Sequence, residues 1–79
     1  MIDIEFIRSW ADVDCWAEQF YHESCGHLQF RKGKYLINIY ITTGTVVIQN
    51  NGHGQRVYKK QAKEQIADML SDPYRYVKN

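Results

Sequence analysis

Seventy-nine residues make room for one domain with one core, and a chain this small has no interior for a deep, enclosed substrate pocket. Hydrophobic residues at 44%, aromatics at 14% and a single proline are the composition of a globular fold and exclude wholesale disorder. The formal net charge of +1, taken alone, argues against a polyanion partner; its distribution argues the other way.

In chain order, Ile2, Ile4 and Phe6 alternate with Asp3 and Glu5, the period of two that predicts a first strand. Ser9 can cap a helix from about Trp10 to about Glu23, with Trp10, Val13, Ala17, Phe20 and Tyr21 as its apolar stripe and Asp12 in its first turn. Cys25-Gly26 ends that helix. A second strand follows over His27–Arg31, with Leu28 and Phe30 inward, and Lys32-Gly33 turns into the strongest strand signal of the chain.

That signal is Tyr35–Gln49, two runs of branched and aromatic residues folded about Thr43-Gly44 into a hairpin. Tyr35, Ile37, Ile39, Ile41, Val46 and Ile48 are its expected inner face, and Leu36, Asn38, Tyr40 and Val47 its mixed outer face. Asn50-Asn51-Gly52-His53-Gly54 reads as a loop. A second helix is expected from about Val57, with Tyr58, Ala62, Ile66, Met69 and Leu70 inward, ended by Asp72-Pro73. The tail, Tyr74–Asn79, reads as a short strand, a docked turn or loose chain. The expected architecture is a single α+β domain over residues 1–79 in the order β-α-β-β-β-α. An antiparallel meander carries both helices on one face, and the first strand joins it in parallel through a right-handed crossover.

Residues 1–23 carry Asp3, Glu5, Asp12, Asp14, Glu18 and Glu23 against Arg8, whereas from Ser24 to Lys63 there are seven bases and no acid. An asymmetry of this kind points to a polyanion-facing surface or to a charged contact with another protein. Its densest part, Lys59-Lys60-Gln61-Ala62-Lys63, follows the Gly52-His53-Gly54 loop. This resembles the second-helix motif of double-stranded RNA-binding domains, in which a glycine loop leads to Lys-Lys-x-Ala-Lys, and the helix, strand, strand, strand, helix order resembles that fold too. The resemblance implies that Lys59, Lys60 and Lys63 contact phosphates, aided by the positive end of a helix dipole. The element order is also similar to that of ribosome-associated hibernation factors, and the central hairpin is similar to strands of TBP-like domains that bind duplexes. The expected contact surface is therefore Arg31, Lys32, Lys34, Arg56, Lys59, Lys60 and Lys63, the two basic clusters straddling the backbone of duplex RNA or DNA if they lie on one side.

The alternative is a protein-interaction module or small inhibitor that docks on a larger assembly. It would use the acidic first helix (Asp14, Glu18, Glu23) or the outer sheet face (Asn38, Tyr40). Cys15, His22, Cys25 and His27 have the atom types of a zinc site, but Cys15 and His22 stand two turns apart on the expected helix, so no metal and no cofactor are expected. Cys25 at a helix C-terminus is poorly placed as a nucleophile, and catalysis is not expected. Both cysteines read as reduced, buried thiols. No apolar run reaches the roughly 20 residues that span a bilayer. The expectation is a soluble cytoplasmic protein, monomer or homodimer, that binds nucleic acid or protein and no membrane.

Overall fold

A computed structural model describes residues 1–52 and 54–77; His53 of the glycine loop and Lys78 and Asn79 of the tail lie outside the described residues. The domain is α+β: a helix, a five-stranded antiparallel sheet and two further helices. The antiparallel meander and the helices packed on one face are as expected. The differences fall at both flanks of the central hairpin.

The first is at the N-terminus, where helix α1 (Ile4–Val13) replaces the expected strand. Ile2, Ile4 and Phe6 form a pattern too short to separate the two periods. What decides it is Ile4, Ile7 and Ala11 at spacings of three and four, with Ile7 and Ala11 fully buried. Asp3, not Ser9, is the cap: its Oδ1 accepts hydrogen bonds from the amides of Glu5 (3.1 Å) and Phe6 (3.3 Å).

The helix stops at Val13 because the chain turns left-handed at Cys15 (φ 63°). The Trp16 amide then bonds the Ala11 carbonyl (2.9 Å) and the Cys15 amide bonds that of Asp12 (3.1 Å). These paired bonds are a Schellman cap with a non-glycine residue at its left-handed position. They turn Trp16 inward, 6% exposed, where its Nε1 donates to the Leu70 carbonyl at 2.8 Å. Trp10, expected in the core, is instead 42% exposed.

The residues expected to continue that helix form strand β1 (Ala17–His22), followed by β2 (His27–Lys32), β3 (Tyr35–Tyr40), β4 (Thr45–Asn50) and β5 (Gln55–Tyr58). They pair in sequence order, all antiparallel, so no parallel crossover exists among the described residues. Leu28, Ile39 and Val46 lie opposite one another across β2, β3 and β4, as do Phe30, Ile37 and Ile48. With Ile41 they form the sheet side of the core, as the alternation predicted.

Helix α2 (Lys63–Ser71) covers that face with Ile66, Met69 and Leu70, beside α1. It starts six residues later than expected, because Gln55–Tyr58 extends the sheet as β5. Asp72-Pro73 ends α2 as predicted, and a single turn, α3 (Pro73–Tyr76), docks Val77 into the core.

Gly44 fixes the far end of the hairpin. It has φ +77°, its carbonyl accepts from the Gln61 amide at 2.9 Å, and a Cβ there would stand 2.8 Å from the Gln61 carbonyl oxygen. Only glycine meets both demands.

Candidate functional site

Helices cover one face of the sheet and leave the other open. Cross-strand register assigns the open face directly. Phe20, Gln29, Asn38, Val47 and Val57 run across all five strands, flanked by His22, His27, Tyr40 and Thr45 on one side and by Arg31, Leu36, Gln49 and Gln55 on the other. None of these side chains is acidic.

A bulge in β1 makes this possible. Glu18 lies opposite Phe30 but Phe20 opposite Gln29, so Gln19 is the extra residue and the alternation flips. Glu18 and Tyr21 therefore point to the helix side, while Phe20 and His22 point to the open side. Arg8 of α1 donates to Glu18 in a two-pronged pair, Nε to Oε1 at 2.9 Å and Nη2 to Oε2 at 3.0 Å. These hydrogen bonds are the main reason that the Arg8 pKa is raised above its ordinary value.

At one end of the open face stands an aromatic platform. The His27 ring is stacked on Tyr40, with centroids 4.4 Å apart and planes 19° from parallel. Phe20 meets His27 edge-on at 4.9 Å and leans against His22 at 4.5 Å. Beneath them Asn38, 8% exposed, accepts at Oδ1 from His27 Nε2 (2.8 Å) and Gln29 Nε2 (2.9 Å). An amide oxygen only accepts, so His27 carries a proton on Nε2 and its ring orientation is fixed.

At the opposite end lies a shallow hollow of about 400 Å³, with Arg31, Lys34, Leu36, Gln49, Asn51 and Gln55 among its lining residues. The expected basic residues are thereby divided. Arg31 and Lys34 come together at this hollow. Lys59 and Lys60 lie beyond β5 at the platform end, where Gly44 binds the chain that links β5 to α2. A six-residue strand, about 20 Å long, separates the two clusters, so they do not form one compact basic patch.

The other bases stand off the open face. Lys32 turns to the helix side, its Nζ 5.9 Å from the centre of the Trp16 ring. Arg56 lies opposite inward-facing Ile48, so it leaves β5 on the helix side. Lys63 opens α2 with its Nζ 4.7 Å from the centre of the Phe6 ring. Lys59 and Lys60 precede the helix rather than forming its first turn, and Lys60 has φ 55°.

The protein-contact candidates divide as well. Asn38 and Tyr40 belong to the open face, Asp14 caps the C-terminus of α1, Glu18 is paired with Arg8, and Glu23 is exposed in the β1–β2 turn. Sequence reasoning misses Phe20 and His22, because a helical reading of 10–23 hides their place on the sheet.

Cys15 and Cys25 are both exposed, contrary to the expected burial, and Cys25 lies in a hairpin turn rather than at a helix end. Among the described residues no three His, Cys, Asp or Glu side chains converge as metal ligands, and no helix is long and apolar enough to cross a membrane. No protein-family model, curated protein or solved structure matches this chain.

Proposed function

We propose that the chain is a small, non-enzymatic module that binds nucleic acid across the open face of its sheet. One observation carries this reading: the open face has no acidic side chain among the described residues, while acids gather on the opposite layer at Asp3, Glu5, Asp12, Glu64, Asp68 and Asp72. A polyanion approaching the open face meets Arg31 and Lys34 at the hollow and no carboxylate across the described part of the face, while Lys60 stands past β5 in a hollow with Met1, Ile2 and Ala62. Counterion release from such contacts gives affinity that falls steeply with salt. Arg31 and Lys34 are the phosphate-contacting residues in this reading; Lys32, Arg56, Lys59, Lys60 and Lys63 add to the long-range field.

A titration of labelled oligonucleotide at several salt concentrations tests the proposal. The expected slope of log affinity against log salt is about −1 to −2, and Arg31→Glu with Lys34→Glu removes most of the binding. Unchanged affinity in that double variant contradicts it.

A second reading has its own observation. Phe6, Trp10 and Ala67 line an apolar hollow between α1 and α2 beside Glu64 and Asp68, the chemistry of a docking site for a basic, apolar protein segment. Capture of a protein by the helix layer, insensitive to substitutions on the open face, would favour it.

A further inference from the structure

Resting on the proposed nucleic-acid reading, we infer that the ligand is a single strand. Its unpaired bases stack on the Phe20, His27 and Tyr40 platform, and its phosphates follow the face to Arg31 and Lys34.

Shape keeps this face out of the major groove of an undistorted duplex. Five strands about 4.8 Å apart make a face of about 20 Å, whereas the major groove is about 12 Å wide and admits a helix or a two-stranded ribbon. An undistorted duplex would touch this face through its backbone and leave the aromatic platform unused.

Chemistry favours the single strand. Phe20 and Tyr40 are half-buried rings on an uncovered sheet, and His27, locked by Asn38, supports Tyr40 from one side. A ring braced in this way presents a π surface at small entropic cost, and a base exposes its own π surface only when it has left the duplex stack. From Tyr40 to Leu36, at the hollow, is four residues of β3, or about 13 Å. That span lets one strand engage the platform with bases and the basic hollow with phosphates. The polar floor between them, Gln29 and Asn38, carries no charge to repel the connecting backbone.

The test is fluorescence anisotropy with the full chain and three probes: a labelled 12-nucleotide oligo-dT, the matching oligo-U, and a blunt duplex of equal length. Single-strand binding in either sugar arm, at least tenfold tighter than to the duplex, is expected. Tyr40→Leu keeps apolar bulk without the π face, and with Phe20→Leu it should weaken single-strand binding by roughly tenfold or more while leaving duplex binding unchanged. Circular dichroism and thermal melting establish that this variant folds; should it not, the single variant Tyr40→Leu gives the same comparison. Equal or tighter duplex binding, or single-strand affinity indifferent to the aromatic substitutions, overturns the inference while sparing the broader proposal. Failure of all three probes at low salt overturns both.

Discussion

Arg8 and Glu18 join α1 to the edge of the sheet through two parallel hydrogen bonds, 2.9 and 3.0 Å long, and hold the one acid of β1 on the helix side. Each side chain is about one-third exposed, so solvent screens much of the attraction. A double-mutant cycle with Arg8→Ala and Glu18→Ala should give a coupling of about 1 kcal/mol, measured by urea denaturation. Arg8 also lies over the Tyr21 ring, 5.3 Å from its centre, so Arg8→Ala should be the costlier single change.

Cys15 occupies the left-handed position at the end of α1, where a side chain is strained by about 1 kcal/mol. Cys15→Gly should therefore raise the melting temperature, by about 4–8 °C for each 1 kcal/mol in a domain of this size. Cys15→Val should lower it, because branching at Cβ makes the same backbone costlier. Calorimetry of the two variants checks the order.

Gly44→Ala should cost at least ~2 kcal/mol, combining the left-handed backbone with the 2.8 Å approach to the Gln61 carbonyl. Gly33 provides the contrast, with φ +57° but no atom within 4 Å of the point where a Cβ would stand, so Gly33→Ala should cost only the backbone strain, about 1 kcal/mol. Denaturant midpoints of the pair separate strain from collision.

Tyr76 donates its hydroxyl hydrogen bond to Asp68, and this bond is the main reason that its pKa is raised above the ordinary value of 10.0. The folded state thus holds the phenol proton more tightly than the unfolded chain does. Its contribution to stability is complete below pH 10 and is lost as pH rises through the folded pKa. Tyr76→Phe should lower stability at neutral pH and flatten its decline above pH 10, as read from denaturation midpoints at pH 8 to 11.

The sequence makes β2, β3 and β4 legible because Leu28, Phe30, Ile37, Ile39, Val46 and Ile48 alternate strictly and their branched side chains suit a pleated surface. It hides β1, where Ala17–His22 lacks a branched residue and the bulge at Gln19 breaks the period. It hides β5 because Gln55–Tyr58 is a four-residue edge strand followed by lysines that read as a helix start. The candidate site suffers accordingly. Arg31, Lys34, Asn38 and Tyr40 could be named from alternation and charge, but Phe20 and His22 join them only through tertiary pairing. The separation of the lysines from Arg31 follows from the direction of β5, which no local pattern records.

The most direct test of an open-face nucleic-acid site is an NMR titration of the isotope-labelled chain with a single-stranded oligonucleotide at low salt. The predicted result is perturbation concentrated at Phe20, His27, Arg31, Tyr40 and Val47, with Ile7, Asp12 and Ala67 of the helix layer unchanged. Perturbation confined to α1 and α2, or none at saturating oligonucleotide, would contradict the account.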